Sequence, residues 1–372
     1  MPSPFSGFPA AVVDDLGRAP LHYGSPLHEQ RALDGGRAIV HLGDRVVVSV
    51  AGLDRLTWLD SITSQRLTTL EPGRPTELLI LDPQGRVEHA ASVLDDGETA
   101  WLIVDAVSAG DLVAWLRRMV FRSRVVVTDE PDLAVIGYFG AGPAQALVAP
   151  LVHGPAGAPL VWDDPWSRVT VGGHQYAAEP HAARDWSWHE AIVTVDAAGR
   201  LARAVSSAAD VEAAGMLAAE ALRIAAWRPR RANEVDERTL PHELDWLRSA
   251  VHLDKGCYRG QETVAKVHNL GHPPRRLVFL HLDGSDAVLP PSGAPITFED
   301  AEVGRITSAA LHHELGPIAL AVVKRTLPID ATLTVAAGDE SVIASQEVIV
   351  PPGAGAEASV PRLPRLSARA RA

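Results

Sequence analysis

The chain has 372 residues, of which 47% are hydrophobic and 22% charged, a composition typical of a soluble globular protein of two or three domains. The formal net charge of −12 argues against nucleic acid as the main ligand, since surfaces that bind phosphates are usually basic. The single cysteine excludes an internal disulfide and an Fe–S cluster held by this chain alone, and no apolar run is long enough to span a membrane.

The first part of the chain predicts an arm followed by an α+β layer. Residues 1–36 are rich in proline, glycine and alanine, and we interpret them as an arm over the first domain. β-Branched and apolar runs predict strands at 38–42, 45–50, 77–81, 86–94, 101–104 and 124–128. Apolar spacing predicts helices at 54–63 and 112–119, so helices should cover one face of an antiparallel sheet.

The middle of the chain is less regular. Between residues 141 and 200 stand four tryptophans, Trp162, Trp166, Trp186 and Trp188, which fit either core packing or the wall of a cleft. A helical pattern then runs from Asp210, which is a suitable cap, to Trp227, and Pro229 ends it.

Short strands separated by glycine and proline dominate the last third. They are predicted at 277–282, 294–298, 303–308, 318–323 and 341–350, after a boundary at Pro273-Pro274. Such a series is typical of a small antiparallel barrel or sandwich. The tail, residues 351–372, carries four arginines among proline, glycine and alanine, and we expect it to be disordered.

The stretch with the most specific chemistry is Lys255-Gly256-Cys257-Tyr258-Arg259-Gly260-Gln261-Glu262. Two glycines bracket the cysteine, which favours a tight loop that presents Cys257 to a cleft. A nearby Lys255 would favour the thiolate over the thiol. The alternative is a buried turn cysteine with incidental polar neighbours.

This stretch resembles the signature of the YgfZ family of folate-binding proteins, which is related to the T-protein (aminomethyltransferase) of the glycine cleavage system. The resemblance implies an α+β folate-binding fold in two lobes over 37–272, with a C-terminal antiparallel β-barrel over 273–350. It implies tetrahydrofolate as cofactor and a role in assembly or repair of Fe–S clusters in client enzymes. Cys257 and Lys255 would be the reactive pair, and Arg223, Tyr258, Gln261 and Glu262 would bind folate.

A second segment resembles the T-protein word Leu-Arg-Leu-Glu-Ala-Gly-x-Pro, which here reads Leu222-Arg223-Ile224-Ala225-Ala226-Trp227-Arg228-Pro229. The resemblance implies that the glutamate of that word contacts the pterin ring of folate, and Ala225 stands in its place here. Because a carboxylate is the natural acceptor for the N–H donors of a pterin, we expect weak folate binding. Arg223 could serve either the cleft or a salt bridge. Arg228, Arg230 or Arg231 could meet the carboxylates of a polyglutamyl tail.

The resemblance also predicts what the chain does not do. The T-protein has a catalytic aspartate in the strand after its Gly-rich turn, and His89, give or take one residue, falls at that place. A histidine can move protons near neutral pH, but a strand histidine that faces outward is the other interpretation. The family's Arg-Thr-Gly-Tyr-Thr-Gly-Glu word is missing, so we do not expect aminomethyl transfer.

The sequence thus favours a cytoplasmic, folate-binding protein that acts on Fe–S client enzymes, with no DNA or membrane partner. One rival is a folate-dependent one-carbon transferase, aminomethyltransferase-like or a demethylase, with His89 as its only candidate proton donor. The other is a pure scaffold in which Cys257 meets a client cluster transiently.

Overall fold

The computed structural model describes residues 3–283, 288–338 and 340–358. Helices span α1 Pro26–Asp34, α2 Arg55–Ile62, α3 Ala106–Met119, α4 Pro143–Val148, α5 Val195–Ser207, α6 Met216–Ala225, α7 Arg231–Glu234, α8 Leu247–Ala250 and α9 Gln261–Leu270. Strands of the first half are β1 Val12–Val13, β2 Pro20–His22, β3 Ala38–His41, β4 Arg45–Ala51, β5 Thr76–Leu81, β6 Val87–Asp95, β7 Thr99–Asp105, β8 Val126–Asp129 and β9 Leu133–Phe139. Those of the second half are β10 Val161–Asp163, β11 Trp188–Thr194, β12 Glu212–Ala214, β13 Arg275–Leu282, β14 Pro295–Phe298, β15 Ala301–His312, β16 Gly316–Lys324, β17 Thr332–Ala337 and β18 Glu340–Val348.

The first sheet is antiparallel and has the order β5-β6-β7-β4-β8. Valines of β4 and apolar residues of β7 point to one face, where Leu59 of α2 and Leu112 and Leu116 of α3 pack on them. The predicted layer of helices on one face of an antiparallel sheet is therefore confirmed.

The second sheet has the order β10-β11-β9-β3-β12, in which only β12 and β3 run parallel. One face packs on α5, where Ala198 and Leu201 meet Ile136 and Val193. The other face meets the first sheet in a shared core that includes Val47, Ile103, Val135 and Trp188 as well as α6. Two sheets held face to face leave space between them for a site.

The N-terminal residues are not the simple arm that composition predicts. The stretch forms α1, which packs on α6 and buries Ala32 and Leu33 completely. Buried Glu29 accepts hydrogen bonds from the backbone N–H groups of Tyr23 and Gly215. The helix was missed because its apolar face is narrow and its contacts lie almost 200 residues away along the chain.

The C-terminal strands close into a six-stranded antiparallel barrel, in the order β13-β16-β15-β14-β17-β18. The prediction of a barrel is confirmed, although β17 was not predicted. Residues 351–358, predicted to be disordered, instead pair with the end of α9, through N–H groups of Ala356, Glu357 and Ala358. Residues 359–372, with all four tail arginines, lie outside the described residues. Within the described ranges, no helix is both long and apolar enough to cross a membrane.

Candidate functional site

A cavity of about 90 Å³ lies between the two five-stranded sheets. Its walls come from β4 to β7 of the first sheet, from β10 and β11 of the second, and from α6 and residues 228–231. Four indole rings line it: Trp162, Trp186, Trp188 and Trp246. The sequence left open whether its four tryptophans between residues 141 and 200 pack in the core or form the wall of a cleft. Three of them line the cavity, while Trp166 is fully buried and does not.

The cavity is densely charged. The acidic lining residues are Asp44, Glu77, Asp105, Asp164, Glu190 and Glu220. The basic lining residues are Arg45, Arg223, Arg228, Arg230 and Arg231. Buried charges are stable only when they are paired. The pairing of these side chains therefore decides which charged groups are still free to bind a ligand.

One ion-pair network crosses the base of the cavity. Arg230 Nη2 lies 2.6 Å from Asp105 Oδ1 and 2.5 Å from Asp44 Oδ2. Arg45 binds the same Asp105, and its other nitrogen lies 3.7 Å from Glu190 Oε1. Both arginines are thereby neutralised by carboxylates of this chain, so neither is free to bind an anionic ligand.

Arg228 has a second pair of carboxylate partners. Its guanidinium lies 2.8 Å from Glu77 Oε2 and 3.0 Å from Asp164 Oδ2. Arg223 likewise pairs with Glu220 and Glu234, and it donates to the carbonyl of Arg228. Arg223 therefore serves both alternatives that the sequence left open, because it lines the cavity and stands in a buried ion-pair network.

Arg231 differs from the other lining arginines. Its Nε donates to the backbone carbonyl of Glu88 at 3.1 Å, and among the described residues no carboxylate pairs with it. Of the three arginines predicted to meet a polyglutamyl tail, Arg228 and Arg230 are occupied by acids of this chain. Arg231 is the one available for a ligand carboxylate.

Glu190, on β11, is one of two lining residues with a buried, unpartnered carboxylate oxygen in the described structure; the other is Asp44, whose second oxygen pairs with Arg230. Its Oε1 accepts from Trp188 Nε1 at 3.3 Å, but in the described part of the chain Oε2 has no hydrogen-bond partner and is buried. Burial raises the pKa of this carboxyl, and nearby Arg45 only partly opposes the shift. A buried acceptor without a partner costs free energy. A ligand that donates a hydrogen bond to this oxygen would remove that cost and so gain binding free energy.

The predicted reactive pair lies elsewhere. Cys257 is exposed and does not line the cavity. The Lys255 ammonium is buried and donates to the carbonyls of Asp60, in the last turn of α2, and of Thr63 and Gln65, just beyond it. Burial lowers the pKa of Lys255 to about 8, against the attraction of Asp60. With its three donors taken by backbone carbonyls, Lys255 fixes the position of the loop.

The rest of the signature loop packs against the β5–β6 turn. Gly260 has a φ of +84°, and a Cβ atom there would lie 2.5 Å from the Asp82 carbonyl, so this position requires glycine. Gly256 has no such constraint. Arg259 pairs with Glu88 at 2.7 Å, and buried Tyr258 packs in the core near Lys255.

None of the signature residues predicted to bind folate lines the cavity. Gln261 donates to the Lys255 carbonyl, Tyr258 is a core residue, and Glu262 is exposed in the first turn of α9. Arg223 is thus the predicted site residue that the fold brings to the cavity.

Two expectations about T-protein positions change with the geometry. His89 is buried beside Arg231 and does not line the cavity, whereas Ala90, the next residue of β6, does. Burial lowers the pKa of His89 to about 4, so it is neutral at physiological pH. The residues of this strand that line the cavity, Ala90, Ala91 and Ser92, include no acid. Ala225 is partly buried, packs against an apolar core and does not line the cavity.

Sequence reasoning missed Glu190, Glu77 and Asp164. A usable signal existed for Glu190, a carboxylate that stands two residues after Trp188 and directly before an apolar run, Ala191 to Val193. Among the described residues no group of three or more histidine, cysteine or acidic side chains has the geometry of a metal site.

Comparison with known proteins shows similarity to glycine cleavage T-proteins. Residues 275–351 match the family model of the glycine cleavage T-protein C-terminal barrel domain. The chain is 26% identical over 322 residues to the aminomethyltransferase of Rippkaea orientalis, covering 78% of each chain. It is 24% identical over 318 residues to the aminomethyltransferase of Nostoc sp., covering 83% of this chain and 82% of the relative.

The fold likeness extends over almost the whole chain. The crystal structure of the glycine cleavage system aminomethyltransferase T from Bartonella henselae aligns with a TM-score of 0.71, over 90% of this chain and 92% of that one, at 18% identity. The protein therefore has an aminomethyltransferase-like T-protein fold with a C-terminal barrel domain, as the sequence resemblance predicted.

Proposed function

We propose that this protein binds a reduced folate in the cavity between its two sheets and acts as a folate-dependent one-carbon transferase. The T-protein-like fold and the relatives named aminomethyltransferase support this proposal. The observation that carries it is the unpartnered Oε2 of Glu190 in a cavity walled by tryptophans.

The lining fits the chemistry of a pterin. A pterin is a flat ring that presents an amino group and a ring N–H on one edge, and an ionised carboxylate accepts such a pair of donors. Glu190 would hold this edge, and the indole rings would cover the faces of the ring. Arg231 would meet a carboxylate of the glutamyl tail. When bound, tetrahydrofolate supplies the nitrogens that carry one-carbon units.

The transfer we propose is not aminomethyl transfer. Ala90 lines the cavity where the T-protein would place its acid, and His89 is buried away from the cavity in a neutral form. Neither can take the place of the T-protein aspartate as the acid that protonates a leaving amine.

Isothermal titration calorimetry with tetrahydrofolate tests the binding step. We expect a one-to-one isotherm, weaker after Glu190→Gln and stronger for polyglutamated forms. An absence of heat with either ligand form, under conditions in which the protein is folded, would refute the proposal.

The exposed thiol of Cys257 favours a second candidate function, assembly or repair of Fe–S clusters in client enzymes. Lys255 and Gly260 hold the loop against the protein, while the thiol of Cys257 faces solvent. This arrangement suits contact with another protein. Complementation of a strain that lacks the protein by Cys257→Ser tests this role, because the transferase proposal does not require the thiol.

A further inference from the structure

The cavity is bordered by a buried ionic triad whose members come from three distant parts of the chain. Arg228 follows α6, Glu77 lies on β5, and Asp164 follows β10. Arg228 reaches Glu77 through two nitrogens, at 2.8 and 3.3 Å, and Asp164 through Nε at 3.0 Å. All three side chains are less than a tenth exposed.

Each member of the triad also contacts a tryptophan of the cavity wall. Trp186 Nε1 donates to Asp164 Oδ2 at 2.9 Å, and Trp246 Nε1 donates to Glu77 Oε2 at 3.3 Å. The Arg228 guanidinium carbon lies 6.0 Å from the ring centre of Trp162. Three of the four indole groups that line the cavity are thus joined to one charged centre.

Stability alone does not account for such a centre. Taking two carboxylates and one guanidinium out of water costs free energy that their mutual attraction only partly returns, and apolar replacements are often as stable. Burial raises the pKa of Asp164 despite the attraction of Arg228, as expected for a carboxylate that shares one cation with a second acid. What apolar side chains cannot provide is a fixed orientation for two indole N–H groups.

We propose that Glu77, Arg228 and Asp164 act as positioning residues, which set the orientation of Trp186 and Trp246 so that the cavity accepts a flat heteroaromatic ring. The proposal rests on the proposed function only in naming that ring as the pterin of a reduced folate. The orientation of the indoles is a property of the ligand-free protein and can be measured without folate.

The first measurement is hydrogen exchange of the indole N–H groups by NMR. Asp164→Ala removes the acceptor of Trp186, while Arg228 keeps its two bonds to Glu77. Exchange at Trp186, assigned by loss of its signal in Trp186→Phe, should become at least about tenfold faster. Exchange at Trp58 of α2, which donates to the carbonyl of Met119 at the end of α3, should not change. Unchanged exchange at Trp186 would overturn the proposal.

The second measurement is the affinity for tetrahydrofolate, in a double-mutant cycle. Trp186→Phe and Asp164→Ala should each weaken binding about tenfold. The double variant should be no weaker than the weaker single variant, because Asp164 acts through Trp186. Independent losses that multiply to about a hundredfold would show that Asp164 does not act through Trp186 and would overturn the proposal.

Two further outcomes remain decisive. If Asp164→Ala does not fold, Trp186→Phe is compared with the matched control Trp58→Phe, which also loses one part-buried, hydrogen-bonded indole N–H. Equal tetrahydrofolate affinity in these two variants would overturn the proposal. If the wild-type protein binds no folate, the proposed function fails, and the exchange measurement alone supports or overturns the positioning role.

Discussion

Substitution of Glu190 by glutamine tests two effects of this carboxyl separately. The first is a loss of stability in the ligand-free protein, and the second is a gain in affinity for the ligand. The group is buried, one of its oxygens has no partner in the described structure, and its pKa is raised by burial. The folded chain therefore binds more protons than the unfolded chain at pH values just above the unfolded pKa of about 4.3. Consequently, Glu190 makes the free energy of unfolding fall as the pH rises through that window, and Glu190→Gln should remove this contribution. The slope that remains comes from other buried carboxyls with a raised pKa, such as Asp245.

The size of the binding effect follows from the hydrogen bonds at stake. Loss of a charge-assisted hydrogen bond costs about 1.5–3 kcal/mol, which is roughly ten- to hundredfold in Kd. The wild-type affinity should also decrease at acidic pH, since a protonated Glu190 cannot accept two donors. Arg45 keeps Asp105 as a partner in the variant, so we expect no loss of thermal stability.

Calorimetry and thermal unfolding between pH 5 and 8 check this prediction. Glu347→Gln, a half-exposed acid on barrel strand β18, is the matched control and should behave like wild type. A Glu190→Gln variant that binds tetrahydrofolate as tightly as wild type would refute the role given to this residue. A variant that unfolds at much lower temperature would refute the argument that its charge is a cost to the ligand-free protein.

Three other substitutions or assays follow from the geometry. Cys257→Ser should leave Tm nearly unchanged, because the thiol is exposed, and should abolish complementation; full complementation would contradict a role for the thiol. Incubation with aminomethylated lipoyl carrier protein and tetrahydrofolate should release ammonia no faster than the blank, because Ala90 leaves the cavity without the acid on β6; release well above the blank would contradict this. Ala225→Glu should not tighten folate binding, contrary to what the sequence word suggests, and should lower Tm, because the side chain faces an apolar core; tighter binding would restore Ala225 as a pterin position.

The parts of the fold that the sequence predicts are those with a local signal. Alternating valines mark β4, and glycine and proline separate the barrel strands, so the first sheet and most of the barrel are predicted close to their observed bounds. The strands of the second sheet from β9 to β11 have no such regular pattern, and the sheet depends on a parallel pairing of β12 with β3 across more than 170 residues.

The candidate site was predicted less well, for a related reason. The signature loop has a specific sequence, but its side chains serve the packing of the loop against α2 and the β5–β6 turn. Whether a charged side chain of the cavity is available to a ligand depends on its ion-pair partner. The partners Arg228 and Glu77 are separated by 151 positions in the sequence. A pattern read along the chain cannot reveal such a pair, nor can it show that Glu190 keeps one oxygen free.

A crystal structure of the protein with tetrahydrofolate tests the central claim most directly. The account predicts ring density between the two sheets, with the amino edge of the pterin on Glu190 Oε2 and indole rings on its faces. Density for the ring beside the loop of residues 255–262, or a cavity without ligand at saturating tetrahydrofolate, would contradict it.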